Sequence, residues 1–249
     1  MLRAHEVSVH FGGVRAVDRV SLDVPDGAAV GLVGPNGSGK STFLNALTGV
    51  VPATGRVEID GHTLPFGKPR AIRQCGLART FQTPQNFTEL SCIENVLLSD
   101  SDRRLTGLGG SWVLRPAMWR HERQRWKRAI ETLDRVGLAP LAEHSSAGLS
   151  YGQQRLLELA RGLIGEPSLL MLDEPSAGLN ATETVRLAEI LKQVHAQGTS
   201  LLVVDHKIDF IDSLCDQIVV LQLGQVIASG SPDAVWRDPQ VVEAYLGEA

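Results

Sequence analysis

The sequence has few cysteines and no excess of basic charge, and these shortages exclude several classes of protein. Its 249 residues include three cysteines, Cys75, Cys92 and Cys215, which lie far apart and form no CxxC or Cys/His spacing. This spacing indicates neither a zinc site nor a disulfide framework, and it favours a reduced, cytosolic compartment. A formal net charge of -4 gives no general attraction to nucleic acid, so we expect no nucleic-acid partner.

Long apolar runs are also absent from the sequence. No stretch reaches the roughly 18 apolar residues of a membrane-spanning helix, and the N-terminal MLRAHEVSVHFGG has no apolar run after its charge. Because 43% of the residues are hydrophobic and 21% are charged, the composition is that of a globular protein with one sizeable core. We therefore expect a chain that is soluble or held at a membrane by other proteins.

Short apolar runs alternate with helical patterns over much of the chain. Buried strands are predicted for AAVGLV from Ala28, LLML from Leu169, SLLVV from Ser200 and IVVL from Ile218. Helical spacing lies between these runs, and Gly198 is placed to end the helix with the apolar positions Leu187, Ile190, Leu191 and Val194. This alternation predicts a parallel α/β sheet covered on both faces.

Two other regions depart from this pattern. RVEIDG and IVVLQLGQVIASG predict hairpin-like strands, with a turn near Gly224 in the second, so we expect a small antiparallel sheet beside the core. From about residue 87 to residue 143 strand signals are absent, and Arg, Glu, Trp and Leu recur at helical spacing. This region predicts a helical insertion between two parts of one core.

The segment GLVGPNGSGKST predicts a phosphate-binding loop. It fits G-x-x-x-x-G-K-[ST] from Gly34 to Ser41, after the strand that ends at Val33 and before the helical STFLNALTG. Backbone N–H groups and the helix N-terminus suit a β-phosphate, while Lys40 would reach the β- and γ-phosphates and Ser41 would ligate Mg2+. The alternative, a glycine-rich turn, does not account for Lys40 and Ser41 at the required offsets. The predicted nucleotide-binding residues are Asn36, Gly37, Ser38, Gly39, Lys40, Ser41 and Thr42.

The segment SLLMLDEP predicts the second half of a phosphoryl-transfer site. Its apolar strand releases Asp173 and Glu174 at the carboxyl end, where α/β sheets bind their ligands. Asp173 would hold Mg2+ through water, and Glu174 would orient and deprotonate the attacking water. A strand followed by an acidic turn is the alternative for this segment in isolation.

The segment LSYGQQRLLELARGL predicts a helix whose start can also bind an anion. Ser150 and Gln153 suit a capping box. The apolar residues at helical spacing are Leu156, Leu159, Ala160 and Leu163. Capping alone does not explain Gly152, whereas the Ser150 hydroxyl, the Gly152 N–H and the helix start together form an anion site.

These motifs together resemble those of the ATP-binding subunits of ABC transporters, and the resemblance covers nearly the whole chain. It implies an α/β P-loop NTPase core of the RecA-like type, with a flanking antiparallel β subdomain and an inserted helical subdomain. It also implies a single ATP-binding domain over residues 1–249, with the core at approximately 1–86 and 150–249 and the helical subdomain at approximately 87–149. ATP and Mg2+ are the implied cofactors.

The same resemblance implies a second ATP-binding subunit, in a homodimer or a heterodimer. In that family two domains dock head to tail, and each signature closes over the γ-phosphate held by the other's glycine-rich loop. Ser150, Gly152 and Gln153 would therefore bind the partner's nucleotide. Tyr151 stands where Gly is commoner, and we expect it to tune the interface without abolishing it. Asn180 of SAGLN replaces the more usual Asp, which calls the Asp-mediated interface contact into question.

Three further positions match family residues, and each has a plainer alternative. Phe11 of HFGG lies where an aromatic ring stacks on adenine, or it is a core strand residue. Gln82 of ARTFQ matches the Q-loop glutamine that contacts Mg2+ and the attacking water, or it is a solvated polar residue. His206 of LLVVDHKID matches the switch histidine that contacts the γ-phosphate, or it is incidental. The implied catalytic residues are Lys40, Gln82, Glu174 and His206, and the implied metal site is Ser41, Gln82 and Asp173.

Membrane partners are expected because a motor without its own membrane span must pass its motion to other subunits. The helical insertion and the Q-loop region are the expected docking surface. Three tryptophans recur there every seven residues, namely Trp112, Trp119 and Trp126, among the basic residues Arg115, Arg120, Arg123, Arg125, Lys127 and Arg128. We interpret this segment as a helix with Trp in its core stripe and solvated charges outside, in preference to a membrane-surface contact.

Four segments look most like the ATPases of branched-chain amino-acid importers, namely GLARTFQTPQNFTELSCIENVLL, LSYGQQRLLELARGL, DEPSAGLN and IASGSPDAVWRDPQVVEAYLG. This likeness implies transmembrane permeases, indirectly a substrate-binding protein, and a peripheral location at the cytoplasmic face of the inner membrane. A urea or amide importer and a lipopolysaccharide-export ATPase are alternative transport functions. A soluble ABC protein acting on ribosomes or DNA is less favoured, because the chain has one glycine-rich loop and no sustained heptads. Glu174 argues against a regulator that binds ATP without hydrolysing it.

Overall fold

The computed structural model describes residues 1–69, 72, 75–100 and 115–246 of the chain. Tertiary contacts divide the chain into a first unit, Met1–Gln82 with Ser168–Ala249, and a second unit, Thr83–Pro167. The second unit extends beyond the expected helical segment at 87–149, because the helix Tyr151–Leu163 packs with the other helices of that unit.

All strands of the described residues lie in the first unit. In chain order they are β1 (Leu2–Phe11), β2 (Val14–Val24), β3 (Ala29–Val33), β4 (Thr54–Ile59), β5 (His62–Thr63), β6 (Leu77–Arg79), β7 (Leu169–Asp173), β8 (Ser200–Val204), β9 (Gln217–Gln222) and β10 (Gln225–Gly230). The helices whose bounds lie within the described residues are α1 (Lys40–Leu47), α2 (Cys92–Ser99), α3 (Arg115–Arg135), α4 (Tyr151–Leu163), α5 (Ala181–Ala196), α6 (Ile208–Leu214), α7 (Pro232–Val235) and α8 (Pro239–Leu246). Short 3-10 turns occur at Ala139–Leu141 and Ser146–Gly148.

The central sheet has the strand order β10-β9-β3-β8-β7-β6. Strand β3 runs parallel to both β8 and β9, and β7 runs parallel to both β8 and β6. Strands β3, β7 and β8 are buried along their whole length, as expected for parallel strands covered on both faces. The predicted α/β class and the four predicted strands are thus confirmed, and the carboxyl ends of β3, β7 and β8 meet at one sheet edge.

A smaller antiparallel sheet of order β2-β1-β4-β5 flanks the central one. It contains RVEIDG in β4, as predicted. The predicted C-terminal hairpin with its turn near Gly224 is also confirmed, but its expected place in this smaller sheet was wrong. That hairpin, β9 and β10 with Leu223 and Gly224 in the turn, extends the central sheet because β9 also pairs with β3. Strands β1 and β2 escaped prediction, since many of their outward positions are polar or charged and no continuous apolar run forms.

Helix α1 anchors the phosphate loop in the core of the first unit. It contacts β1, β2 and β7, and its Phe43 and Leu44 are fully buried among residues of both sheets. Burying one such side chain contributes about 1.5–3 kcal/mol. The hydrophobic core therefore fixes the helix whose first residues, Lys40 and Ser41, belong to the candidate site.

The exposure of Trp119 and Trp126 contradicts the expected core stripe. These residues share a face of α3 with Leu133, and the exposed fraction falls from 76% at Trp119 through 41% at Trp126 to 0% at Leu133. The neighbouring helices α2 and α4 have 8 and 13 residues against 21 in α3. At 1.5 Å per residue they are about 12 and 20 Å long against about 32 Å, so they cover only part of α3. Trp112 lies outside the described residues, as does the side chain of Arg115.

No helix in the described ranges, 1–69, 75–100 and 115–246, combines the length and the apolar character needed to cross a bilayer.

Candidate functional site

The phosphate loop connects the end of β3 with the start of α1. Gly34 has φ +145, and a Cβ there would lie 2.0 Å from the carbonyl oxygen of Leu221. Gly39 has φ +103, and its Cβ would lie 2.4 Å from the carbonyl oxygen of Ala16. Both positions therefore need glycine for backbone conformation and for space.

The N-terminus of α1 presents its first N–H groups without competition from a capping side chain. Gly39 is the N-cap and contributes no side-chain hydrogen bond, and the described first turn contains no acidic residue. The first N–H groups of a helix have no acceptor within the helix, and together with the positive end of the helix dipole they favour an anion at this point. The geometry agrees with the predicted phosphate loop, although phosphate contacts of Asn36, Gly37, Ser38 and Thr42 stay predictions.

Lys40 lies in this loop with its ammonium group held by backbone oxygens. Its Nζ donates to the carbonyl oxygens of Gly34 at 2.7 Å and Pro35 at 2.8 Å, and it lies 3.4 Å from the Ser38 hydroxyl oxygen. A Lys ammonium is a compact charge with three donors on a flexible stem. It can therefore exchange carbonyl partners for phosphate oxygens.

Asp173 lies at the carboxyl end of β7, next to the first turn of α1. The Ser41 hydroxyl donates to Asp173 Oδ1 at 3.4 Å. The Arg79 guanidinium donates to the other carboxylate oxygen, Oδ2, at 2.7 Å. Hard oxygen atoms of Ser41 and Asp173 thus face each other, and a few such ligands with substrate phosphates are what Mg2+ prefers.

The structure brings Glu174 and Gln82 together, whereas the contacts of Gln82 with Mg2+ and water stay predictions. The Gln82 side-chain amide donates to Glu174 Oε2 at 2.9 Å. Glu174 has φ 47, a left-handed conformation, and its N–H donates to the Val204 carbonyl at 2.7 Å. A non-glycine residue in this conformation stores about 1–3 kcal/mol. The β7–β8 pairing thus helps to hold Glu174 in a strained backbone position beside Gln82.

His206 follows β8, the neighbour of β7, with 59% of its side chain exposed. Its position depends on Asp205, a fully buried carboxylate that sequence analysis missed. Asp205 accepts hydrogen bonds from the backbone N–H groups of Ser176, His206 and Lys207 at 2.8–3.0 Å, and from the Ser176 hydroxyl at 2.9 Å. Asp205 thereby joins the residues after β8, His206 and Lys207, to the segment that follows Glu174. An acidic residue directly after the apolar run SLLVV was the available signal.

Phe11 ends β1 with 50% of its surface exposed. This exposure rules out the alternative of a core strand residue. Stacking on adenine stays a prediction for Phe11.

Within the second unit, Ser150 and Gln153 form the predicted capping box. The Ser150 hydroxyl oxygen accepts from the Gln153 N–H at 3.3 Å, and the Gln153 side-chain oxygen accepts from the Ser150 N–H at 2.9 Å. A serine hydroxyl that accepts one bond still has its own O–H to donate. Gly152 is buried, and the guanidinium of Arg155 lies 5.5 Å from the Tyr151 ring. Whether these residues bind a partner's nucleotide stays a prediction.

Asn180 caps α5 in a reciprocal pair with Glu183. Its side-chain oxygen accepts from the Glu183 N–H at 2.9 Å, and its own N–H donates to the Glu183 carboxylate at 3.1 Å. The residue that replaces the usual Asp is thus an efficient helix cap.

A loop that offers backbone N–H groups and a lysine to an anion, beside a carboxylate suited to a hard cation, defines a P-loop nucleoside triphosphatase. Comparison with known families narrows this class. The ABC transporter family matches residues 17–177, and the chain belongs to this family as an ATP-binding subunit. A second family, described as a branched-chain amino acid ATP-binding cassette transporter, matches residues 225–249.

Curated relatives match over the full length of the chain. The high-affinity branched-chain amino acid transport ATP-binding protein LivG of Salmonella typhimurium is 37% identical over 100% of this chain and 98% of its own length. The corresponding BraF of Pseudomonas aeruginosa is 36% identical with the same coverage.

Solved structures agree with the fold. The ADP conformation of MJ1267, an ATP-binding cassette of an ABC transporter, has a TM-score of 0.85 and 31% identity, covering 99% of this chain and 98% of that one. A dimeric post-hydrolysis state of the cassette MJ0796, bound to ADP and Pi, has a TM-score of 0.77 and 27% identity, covering 93% and 99%. The predicted P-loop NTPase fold and an ATPase coupled to transport are thereby confirmed.

Proposed function

We propose that the chain powers the import of branched-chain or related amino acids, as a peripheral subunit at the cytoplasmic face of the inner membrane. The observation that carries this proposal is the full-length identity of 36–37% to LivG and BraF. The match of residues 225–249 to the branched-chain amino acid family supports it at the C-terminus.

We infer that Ser41 and Asp173 hold Mg2+ together with the phosphates of ATP. Their facing oxygen atoms fit such an ion, and Gln82 approaches the same region through its bond to Glu174. When bound, Mg2+ would neutralise charge on the β- and γ-phosphates. Lys40 would turn from its two carbonyl partners to the phosphates, while the N-terminus of α1 would orient them.

Glu174 is the proposed general base for the attacking water. Its Oε2 already accepts a hydrogen bond from Gln82, so its basic oxygen is oriented before water arrives. His206 would steady the γ-phosphate from the end of β8. Phosphoryl transfer depends mainly on such positioning and on charge stabilisation.

The remaining donors are proposed to come from a second ATP-binding subunit. Ser150, Gly152 and Gln153 present a hydroxyl and a helix N-terminus, which together suit the γ-phosphate of the partner's nucleotide. Loss of that phosphate after hydrolysis would release the two halves. Transmembrane permeases would receive this motion, and a substrate-binding protein would deliver the amino acid to them.

Reconstitution tests the cargo. The chain is purified in complex with its permease partners, the binding protein is added, and ATP-dependent uptake of leucine, urea and acetamide into proteoliposomes is compared. We expect leucine uptake that disappears with Glu174→Gln, because glutamine cannot accept the proton of water. Uptake of urea or acetamide without leucine would contradict the proposed cargo, and unchanged hydrolysis in Glu174→Gln would contradict the proposed base.

A further inference from the structure

Sequence analysis missed Arg79, a charged residue that lies beside Asp173, one of the proposed Mg2+ ligands. Arg79 is the last residue of β6, and its side chain and that of Asp173 are each only 6% exposed. Its NH2 group donates to Asp173 Oδ2 at 2.7 Å. Its NH1 group donates to Asn45 Oδ1 at 2.8 Å and to Thr48 Oγ1 at 2.9 Å. One guanidinium therefore connects β7 to the last turn of α1.

The two carboxylate oxygens of Asp173 have separate partners. Arg79 takes Oδ2, and Oδ1 faces the Ser41 hydroxyl. A carboxylate can rotate about its terminal bond, so a fixed Oδ2 also fixes the direction of Oδ1. A bond through Oδ2 thus determines where Oδ1 is offered to a cation.

The chemistry at this position favours an arginine over a lysine. The planar guanidinium holds its donors in a fixed fork, so NH1 and NH2 reach two elements at once, which a single ammonium group does less well. Helix α1 has no basic residue in its last turn, and the Arg79 charge lies beside its C-cap, Thr48. That charge is favourable at the negative end of the helix dipole. Asp173 is therefore connected to α1 at both ends, through Ser41 at the start and through Arg79 and Thr48 at the end.

We propose that Arg79 is a positioning residue for the metal site, which holds Asp173 so that Oδ1 stays directed at Ser41. This inference rests on the proposed binding of Mg2+ by Ser41 and Asp173. Arg79 touches neither nucleotide nor water in this role, because it acts through the carboxylate. It also supplies the positive charge that a buried carboxylate needs in the absence of metal.

The test measures binding of Mn2+, used as a paramagnetic probe for Mg2+, to the full chain saturated with ADP. The electron paramagnetic resonance signal of free Mn2+ is followed for the wild type, Arg79→Met, Asn45→Ala and Asp173→Asn. We expect Arg79→Met to weaken Mn2+ binding by about 10–100-fold, the usual effect of losing a residue that orients a metal ligand. ADP affinity in EDTA should not change, because the phosphate loop keeps its N–H groups.

Asn45→Ala is the matched control, since it removes one bond to Arg79 and leaves the pair with Asp173 intact. It should bind Mn2+ like the wild type, and an equal loss in this variant would reduce Arg79 to a general structural role and overturn the proposal. Wild-type or tighter binding in Arg79→Met would also overturn it. If Arg79→Met does not fold, Arg79→Lys replaces it, and wild-type Mn2+ affinity there would contradict the need for the fork.

Asp173→Asn separates this inference from the proposal beneath it. Undiminished Mn2+ binding in Asp173→Asn would refute the metal site itself. Loss in Asp173→Asn without loss in Arg79→Met would refute only the role of Arg79.

Discussion

Replacing Gly39 by alanine tests whether the phosphate loop depends on a conformation that glycine alone adopts easily. Gly39 has φ +103, and the added Cβ would lie 2.4 Å from the Ala16 carbonyl oxygen. The strained backbone costs about 1–3 kcal/mol, and an extra carbon in a filled site costs about 1–3 kcal/mol more. We expect Gly39→Ala to lower the free energy of unfolding by about 2–6 kcal/mol. ADP affinity should fall with it, because Gly39 is the N-cap of α1.

Gly37→Ala is the matched control. Gly37 has φ +75, but its added Cβ meets nothing within 4 Å, so only the backbone strain of about 1–2 kcal/mol applies. Calorimetry should show the larger fall in melting temperature for Gly39→Ala, at about 2–4 °C per kcal/mol for a chain of this size. Isothermal titration calorimetry then measures the ADP affinity of both variants and of the wild type. Equal melting temperatures for the two variants, with wild-type ADP affinity in Gly39→Ala, would refute the reasoning.

Three further predictions concern buried and interfacial groups. Asp205→Asn should cost about 1–3 kcal/mol, because its amide would face the Ser176 N–H, and ATP turnover should fall as His206 loses its fixed position; wild-type stability and turnover would contradict this. Burial, with Asp216 and Asp212, raises the pKa of Cys215 to about 12, so iodoacetamide at pH 8 should modify half-buried Cys75 and spare Cys215, as mass spectrometry would show. Tyr151→Gly should change ATP turnover only modestly, and complete loss of ATP turnover in this variant would refute a tuning role for Tyr151.

The sequence revealed those parts of the fold whose pattern is local. Strands β3, β7 and β8 are buried on both faces, so their residues form continuous apolar runs. Exposed residues, Arg3 and Glu6 among them, interrupt the buried positions of strand β1, which removes that signal. The C-terminal hairpin was assigned to the wrong sheet because strand pairing between β3 and β9 joins residues far apart in the chain.

The same distinction applies to the site. Lys40, Ser41, Asp173 and Glu174 were predictable because each belongs to a motif of fixed spacing. Arg79 lies 94 residues from Asp173, and nothing in the segment LAR indicates which carboxylate its side chain pairs with. The predicted burial of the tryptophans in α3 was wrong for a related reason. Helical spacing shows which residues share a face, but it does not show how much of that face a neighbouring helix covers.

The central claim is that a complete ATP-hydrolysing site needs residues from two ATP-binding subunits. Ser150→Arg tests this claim with a closely matched control. Ser91 caps α2 in a capping box with Glu94, the same arrangement that Ser150 and Gln153 form at α4. Ser150→Arg and Ser91→Arg should therefore lose similar stability, about 0.5–2 kcal/mol each. Thermal unfolding of both variants checks this equivalence.

The decisive measurement is the ATP turnover of these two variants in the complex purified with its permeases and second ATP-binding subunit. We predict that Ser150→Arg lowers turnover on the order of 100-fold at the site it completes, the scale of losing a transition-state donor, while Ser91→Arg turns over ATP like the wild type. Wild-type turnover in Ser150→Arg, or full turnover by a strictly monomeric chain, would contradict the account.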